Sequence, residues 1–304
     1  MRKRYLRAGI RRTARRIMAA AGAAFVWAGC ATIPPVAGGA KVGEAAGFAS
    51  VGAVEPEWEP FAEGVAYAAG RVLEPRLEFW ALRAALGFPR LRVAVNAPGE
   101  SPGSVASVHT ASFARSYGCA AAINATPFRP ASAKEGVPLT VVGSAVSEGI
   151  EVAAPHPPYD ALVFYADGSA AVVAQDALGE AGKPVRNAAG GFFRVLEDGA
   201  PLRSPRAARH PRSAAGLSRD GKTLYLLAVD GRRRESVGAT EDELGLLMRR
   251  LGAQDALSFD GGGSTALALR YPDGSVRAAN APVHGFRPGG ERAVAICLGI
   301  AAAP

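Results

Sequence analysis

The chain is poor in the residues that build metal centres and disulfide frameworks. It has 3 cysteines and 4 histidines among 304 residues, and the histidines are scattered. Zinc ligands recur at short, regular spacings, so we expect no zinc site. Cys119 and Cys297 lie far apart among small and apolar neighbours, which predicts two buried structural thiols. Export of the chain would also allow a disulfide between them.

The sequence also lacks a basic surplus outside its first residues. The formal net charge is +8, but eight of the 35 Arg and Lys residues occupy positions 2–16, without any acid. The rest of the chain therefore carries 27 basic against 27 acidic residues. Affinity for phosphate backbones needs a basic footprint on the folded domain. We therefore expect no nucleic-acid partner.

The apolar run that follows this basic start, residues 17–28, is too short to span a bilayer comfortably. A basic segment and a short apolar run are typical of an export signal. Gly29 and Cys30 follow, and a cysteine after small residues resembles the processing site of bacterial lipoproteins. We therefore predict a signal peptide over 1–29 and a lipidated Cys30 that anchors the protein in the bacterial cell envelope, periplasmic or at the outer surface. Trp27 departs from the usual Leu-like residue, which leaves ordinary cleavage or an uncleaved anchor open.

The remaining chain is predicted to be one tethered domain. Residues 30–52 are rich in Ala, Gly and Pro and are interpreted as a tether. Residues 53–304 are enough for a single large domain. Their pattern predicts an α+β fold with a mixed β-sheet core and packed helices. Strand 223–229, helix 240–251 and the strand ending at Asp260 predict a βαβ unit with two parallel strands.

The most informative segment is the Asp-Gly-Gly-Gly-Ser-Thr run at 260–265. Asp260 ends an apolar strand, and the glycines remove every side chain that could block a ligand. Glycine also lets backbone N–H groups converge on an anion. A flexible hairpin turn is the alternative interpretation. Three glycines cost more conformational entropy than a turn requires, which favours a site.

Five segments in a fixed order resemble a known family. They are residues 118–128, 211–216, 230–232, 238–244 and 260–265. Together they resemble the phosphodiester glycosidases related to the enzyme that uncovers mannose 6-phosphate by removing N-acetylglucosamine from its phosphodiester. Ser213 stands where this family more often has Thr. The resemblance implies hydrolysis of a sugar's anomeric bond to a phosphodiester oxygen.

This resemblance assigns roles to residues. Asp260 is the expected carboxylate at the reacting centre, Asp230 is the second candidate, and Glu243 is the third. The expected substrate contacts are Asn124, Phe128, Arg212, Arg232, Thr240, Gly261, Gly262, Gly263, Ser264 and Thr265. A phosphate leaving group needs little protonation, so cationic clamps and one carboxylate suffice in principle. Arg212 and Arg232 fit such a clamp because a guanidinium matches two phosphate oxygens.

Structural alternatives accompany several of these roles. Asp230 can cap a turn, and Asn124 can satisfy backbone groups in a bend. Glu243 stands three residues after Thr240, the spacing of a helix capping box. Arg212 can be a solvated loop residue. His210 and His284 have no evident partner and receive no role.

At the level of function, two alternatives stay open. One is a non-catalytic carbohydrate-binding lipoprotein, and the other is a phosphodiesterase that cuts P–O bonds. We expect no required cofactor. Calcium or magnesium beside Asp260 and Asp230 is a weaker option, because carboxylate oxygens suit both ions.

Overall fold

The computed structural model describes residues 48–204, 208–285 and 287–302. The predicted signal peptide, Cys30 and residues 31–47 of the predicted tether lie outside these ranges. The last residues of the tether segment, Phe48–Gly52, form a short helix in which Val51 is fully buried. The folded part therefore includes the end of the segment interpreted as a tether.

The described residues form three α-helices and 23 strands. The helices are α1 (Phe48–Gly52), α2 (Thr110–Ser116) and α3 (Glu241–Leu251). The first twelve strands are β1 (Glu59–Ala62), β2 (Val65–Val72), β3 (Leu77–Ala85), β4 (Leu91–Val95), β5 (Ser104–Ala106), β6 (Cys119–Asn124), β7 (Phe128–Arg129), β8 (Pro138–Val141), β9 (Ala145–Ser147), β10 (Ile150–Ala153), β11 (Asp160–Tyr165) and β12 (Ala170–Ala174). The others are β13 (Val185–Gly190), β14 (Arg194–Glu197), β15 (Ala200–Pro201), β16 (Arg212–Leu217), β17 (Thr223–Val229), β18 (Asp255–Ser258), β19 (Leu267–Arg270), β20 (Val276–Ala278), β21 (Val283–His284), β22 (Arg287–Pro288) and β23 (Cys297–Ala302).

Three larger sheets build the fold. The first has eight strands in the order β1-β2-β3-β17-β16-β18-β14-β15. The second has five strands in the order β20-β19-β6-β23-β4, and the third has five in the order β10-β9-β13-β11-β12. Two small sheets, β5-β8-β7 and β21-β22, complete the described strands. We call the first two the eight-stranded sheet and the β6 sheet.

The predicted α+β class is wrong, because the fold is predominantly antiparallel β-sheet with three helices in the described ranges. The strand–helix–strand segment β17-α3-β18 does lie in one sheet. However, β16 lies between β17 and β18 and pairs antiparallel with both. Sequence periodicity identifies strands and a crossover helix, but it does not show that an earlier strand inserts between them. The two strands of the expected βαβ unit are therefore parallel and lie in one sheet, with β16 between them.

The core is shared between sheets. One apolar cluster combines Leu82 and Leu257 of the eight-stranded sheet with Ile123 and Leu298 of the β6 sheet and Leu162 of the third sheet. Burying apolar side chains on the facing sides of sheets is the main source of stability for such a fold. Strands β18 and β19 thus contribute side chains to the same core from two different sheets, and the glycine run connects them.

Helix α3 covers the other face of the eight-stranded sheet. Leu244, Leu247, Met248 and Leu251 are buried there, at the helical spacing seen in the sequence. The helix ends at Gly252, whose φ of 112° is left-handed and favours glycine.

Cys119 and Cys297 are both buried and free, which confirms the expectation of structural thiols. Burial raises the pKa of the Cys119 thiol to about 12. These thiols are therefore protonated and unreactive at neutral pH. Within the described ranges, no helix is long and apolar enough to cross a membrane.

Candidate active site

The glycine run lies at the junction of two sheets. Strand β18 ends at Ser258, a single 3-10 turn covers Gly262–Ser264, and the chain then enters β19 in the β6 sheet. The Asp260 N–H donates to the Ala125 carbonyl at 2.9 Å, and the Gly262 N–H donates to the Pro211 carbonyl at 2.8 Å. The run is therefore a crossing between sheets, anchored on both sides, and the alternative of a hairpin turn is wrong.

Two arginine side chains lie directly against these glycines. Gly262 has a φ of +62°, and a Cβ there would stand 3.0 Å from Arg232 Nη2. A Cβ on Gly263 would stand only 2.5 Å from Arg292 Nη2. The absence of side chains at both positions is what admits the two guanidinium groups. The structure therefore explains the glycines by close approach of cations.

Asp260 is half-buried beside this pair of cations. Burial raises the pKa of its carboxyl to about 6, while a hydrogen bond from Ser264, the charge of Arg292 and the Gly261 N–H act to lower it. A carboxyl with such a pKa exchanges its proton near neutral pH, as a general base or acid requires. The structure thus places Asp260, Gly261–Gly263, Ser264 and Arg232 together.

Arg292 and His284 belong to the same cluster and were missed by sequence reasoning. Arg292 donates from Nη1 to Ser264 Oγ at 3.2 Å and from Nε to His284 Nδ1 at 3.1 Å. Its pKa is lowered by burial, and the charge of Arg232 acts in the same direction while Asp260 opposes it. Arg292 stands just before an apolar segment with no motif around it, so its sequence context gives no signal.

The two histidines near the cluster are held neutral. Burial lowers the pKa of His284, and the charge of Arg292 adds to this effect. Burial also lowers the pKa of His210, with the charges of Arg212 and Arg232 adding to it. A neutral His284 accepts from Arg292 at Nδ1, which fixes its tautomer with the proton on Nε2.

The Asn124 side chain connects the two ends of the glycine run to strand β16. Its Nδ2 donates to the Asp260 carbonyl at 2.6 Å, and its Oδ1 accepts from Ser213 Oγ at 2.6 Å and from the Ala266 N–H at 3.1 Å. The side chain is fully buried. Of the two roles open for Asn124, these contacts favour positioning of the backbone over contact with a sugar.

Asp230 is engaged inside the fold. Its carboxylate accepts from Arg233 Nη1 at 2.7 Å, from Asn280 Nδ2 at 2.9 Å and from the Ala281 N–H at 3.0 Å. Burial raises the pKa of this carboxyl to about 6, despite these donors. Asn280 also donates to the Thr265 carbonyl at 3.2 Å. Asp230 therefore supports the end of the glycine run through Asn280.

Glu243 forms a capping box with Thr240, since the Glu243 N–H donates to Thr240 Oγ1 at 3.2 Å and the Thr240 N–H donates to Glu243 Oε2 at 2.9 Å. The Glu243 carboxylate also pairs with Arg209 at 2.5 Å. Both side chains are therefore engaged in starting α3. These contacts favour the structural interpretation of Glu243 and Thr240 over a role in the reaction.

Arg212 lies beside the glycine run, and its guanidinium contacts residues at the start of α3. Its Nε donates to the Ala239 carbonyl at 3.1 Å, and Nη1 lies 3.4 Å from Glu241 Oε1. Its Cδ is 3.8 Å from where a Gly261 Cβ would stand. Arg212 thus links the glycine run to the first turn of α3.

The remaining predicted contacts are buried to different degrees. Phe128 is half-buried and packs against two apolar clusters. Thr265 is buried, and its hydroxyl has no hydrogen-bond partner among the described residues. In the described ranges, no group of three or more His, Cys, Asp or Glu side chains is arranged to hold a metal ion.

The protein is an antiparallel β protein in which a carboxylate, Asp260, lies close to two arginines, Arg232 and Arg292. These side chains meet where the glycine run connects two sheets. The family profile described as NAGPA, phosphodiester glycosidase, matches residues 117–301. The chain therefore belongs to the phosphodiester glycosidase family, a family of hydrolases, as the motif order indicated. The match covers β6, β16 to β18 and the whole glycine run.

Individual proteins resemble this chain in sequence or in fold. The chain is 30% identical over 142 residues to an uncharacterized SPbeta prophage-derived protein, YomE, of Bacillus subtilis. That match covers 42% of this chain but only 22% of the relative's length. In structure, the chain resembles the catalytic domain of zebrafish N-acetylglucosamine-1-phosphodiester alpha-N-acetylglucosaminidase, which is auto-inhibited by its pro-peptide. The TM-score is 0.61 at 19% identity, over 80% of this chain and 84% of that one.

A hypothetical protein from Synechocystis also has a similar structure. Its TM-score is 0.58 at 14% identity, over 80% of this chain and 63% of that chain. At these identities the structural likenesses support the fold, and the activity of this chain requires its own argument.

Proposed function

We propose that this protein is an exported hydrolase that cleaves the glycosyl C–O bond of glycosyl phosphodiesters, with N-acetylglucosamine-1-phosphodiesters of envelope or imported glycans as candidate substrates. The observation that carries the proposal is the arrangement at residues 260–263. The Asp260 carboxyl, with a pKa of about 6, lies beside two arginines whose guanidinium groups lie against the backbone of Gly262 and Gly263. Family membership supports the reaction class.

The chemistry of such a bond suits this arrangement. The oxygen of water forms a bond to the anomeric carbon while the C–O bond to phosphate breaks, and the phosphate leaves as an anion that needs little protonation. Arg232 and Arg292 would stabilise the charge that develops on its oxygens. Asp260 would take the proton from water, or would stabilise the oxocarbenium-like centre, in its ionised form.

The test compares sugar release by the full chain and by Asp260→Asn, with UDP-N-acetylglucosamine and a simple N-acetylglucosamine 1-phosphodiester as substrates. Loss of an ionised base is expected to lower kcat by about 10²–10⁴-fold. Asp255→Asn is the matched control because Asp255 opens the same strand, β18. Release that survives Asp260→Asn would remove this carboxylate from the mechanism.

Heavy-oxygen water separates the proposed reaction from its nearest rival. Label in the released sugar is expected, because the water oxygen ends on the anomeric carbon. Label in the phosphate would establish a P–O phosphodiesterase instead. Sugar binding without any release would favour the carbohydrate-binding alternative.

The pH dependence gives a second check of the same assignment. Because Asp260 acts in its ionised form, kcat/KM should rise with pH through the interval around its pKa of about 6. A rate that is flat between pH 5 and pH 7 would contradict this role.

We further propose that Cys30 is lipidated and anchors the enzyme in the cell envelope. Incorporation of labelled palmitate into the full chain, lost in Cys30→Ala, is the expected result. Absence of label in the full chain would leave an ordinary signal peptide or an uncleaved anchor as the explanation.

A further inference from the structure

The Arg292 guanidinium is held on three sides. Its Nε donates to His284 Nδ1 at 3.1 Å, and its Nη1 donates to Ser264 Oγ at 3.2 Å. Its Nη2 lies 2.5 Å from where a Gly263 Cβ would stand. A guanidinium has five N–H donors, and among the described residues these contacts use only two of them. The donors that remain on Nη1 and Nη2 can bind a ligand, in an orientation that the three neighbours set.

His284 and Arg292 are brought together by one short hairpin. Strands β21 and β22 pair antiparallel, and the His284 N–H donates to the Gly290 carbonyl at 2.8 Å. Arg292 follows two residues after Gly290. Strand β21 also contacts the 3-10 turn of the glycine run. The backbone pairing therefore places the imidazole and the guanidinium side by side at the edge of the site.

The backbone on both sides of Arg292 is anchored to other parts of the fold. The Glu291 carboxylate accepts from the Thr110 N–H at 2.8 Å, and the Ala293 N–H donates to the Ser132 carbonyl at 3.0 Å. These contacts fix where the Arg292 side chain begins, but they do not fix its long stem. An arginine side chain has many rotamers, so its charged end depends on side-chain partners.

The contacts of Arg292 continue to Asp260. The Ser264 oxygen accepts from Arg292, and the Ser264 hydroxyl donates to the Asp260 carboxylate. The charge of Arg292 also acts to lower the pKa of Asp260. His284, Arg292, Ser264 and Asp260 therefore form one chain of side-chain hydrogen bonds, with the imidazole at the end farthest from the carboxylate.

A neutral imidazole suits the end of this chain. Burial, with the charge of Arg292 adding to it, lowers the pKa of His284 and keeps a lone pair on Nδ1. A carboxylate in the same place would also accept from Arg292, but it would cancel the positive charge that Arg292 offers to an anion. An imidazole instead orients the cation and leaves its charge for the ligand.

We propose that His284 is a positioning residue, which accepts from Arg292 Nε and thereby orients the guanidinium toward the phosphate of the substrate. His284 acts through Arg292 and makes no contact with the reacting atoms in this role. The role rests on the proposed function, because the orientation of Arg292 serves catalysis only if the substrate carries a phosphate. The hydrogen-bond chain itself can be tested without hydrolysis.

The kinetic test uses the full chain and a cleavable N-acetylglucosamine 1-phosphodiester. His284→Leu removes the acceptor and keeps a side chain of medium size, and we expect kcat/KM to fall about tenfold. His284→Asn keeps an acceptor oxygen near the place of Nδ1 and should restore kcat/KM to within threefold. In an Arg292→Ala background, His284→Leu should cost less than twofold, because its effect passes through Arg292.

The matched control is His156→Leu, since His156 is an exposed histidine in the loop after β10. It should leave kcat/KM within twofold of the wild type. An equal cost of His284→Leu with and without Arg292 overturns the positioning role. Hydrolysis that is unaffected by His284→Leu also overturns it and leaves the proposed reaction standing.

The pKa of Asp260 gives a readout that does not need hydrolysis, and carboxyl ¹³C NMR of the full chain measures it. Arg292 lowers this pKa by its charge, so release of Arg292 in His284→Leu should raise it by at least about 0.5. His284→Asn and His156→Leu should leave it unchanged. An Asp260 pKa that stays the same in His284→Leu overturns the role. A raised pKa in a chain that releases no sugar supports the role and refutes only the proposed reaction.

Discussion

Asp230 and Asp260 are two buried or half-buried aspartates at the ends of strands that run in the same direction, and the pKa of each is raised to about 6 by burial. Their surroundings differ. The carboxylate of Asp230 accepts from Arg233, Asn280 and the Ala281 backbone. Asp260 faces a surface of glycine backbone with Arg292 and Arg232 near it.

The difference shows that a perturbed pKa does not by itself identify a reacting group. Asp230 has the shift of a catalytic carboxyl, but its lone pairs are used to join the end of β17 to the loop that carries Asn280. Asp260 combines the same shift with adjacent cations and with backbone that a ligand can approach. The neighbours, rather than the shift, separate a positioning role from a chemical one.

The largest effect is expected at Arg292, because this arginine distinguishes the surroundings of Asp260 from those of Asp230. Arg292→Ala should lower kcat/KM by about 100-fold, because it removes a preorganised cation where phosphate charge develops. Arg234→Ala, an exposed arginine near Arg232, should leave kcat/KM within twofold. Equal small effects of both substitutions would show that the cations beside Asp260 do not distinguish it from Asp230.

Asp230→Asn should act on stability. The amide replaces an acceptor oxygen by a donor that faces Asn280, Ala281 or Arg233, so buried donors lose partners at a cost of about 1–3 kcal/mol. Urea unfolding at pH 7 measures the loss, with Asp273→Asn in an exposed turn as control. A variant as stable as the wild type with greatly reduced kcat would instead place Asp230 in the chemistry.

Asp260→Asn should have the opposite and smaller effect on stability. The pKa of Asp260 is about 6 in the folded state against roughly 4 in an unfolded chain. The folded state therefore binds this proton more tightly, and the contribution of Asp260 to stability falls as pH rises from about 4 to 6. Removing the charge should stabilise the protein by on the order of 1 kcal/mol at pH 7.5.

At pH 4 the same substitution should change stability little, because Asp260 is then mostly protonated in the folded state and about half protonated in the unfolded chain. The measurement is the difference in Tm between variant and wild type at the two pH values. A difference that is the same at pH 4 and pH 7.5 would contradict the raised pKa.

Sequence reasoning identified the part of the site that is local. The 260–265 run, Arg232 and the Thr240–Glu243 capping box are patterns of adjacent residues, and the structure places each at a defined junction. Asn124 came from the family motif, but its contacts with Ser213 and Ala266 required long-range pairing. Arg292 and His284 meet Asp260 only because β21 and the chain before β23 pack against the glycine run.

The prediction of an α+β class was wrong for the same reason. The strands and α3 were visible as periodic patterns, but strand order is a property of pairing between distant segments. The insertion of β16 between β17 and β18 makes every neighbouring pair antiparallel there. No local pattern in residues 212–217 predicts that this strand lies between β17 and β18.

The crossing at residues 260–265 also has a consequence for when the protein becomes active. Its anchors are contributed by β6, the residue before β16 and the segment before β23, so the site spans more than 160 residues of chain. Contacts of such long sequence separation form late in folding. A chain still emerging from a ribosome therefore has no assembled site and gains its activity only after the distant segments have packed together.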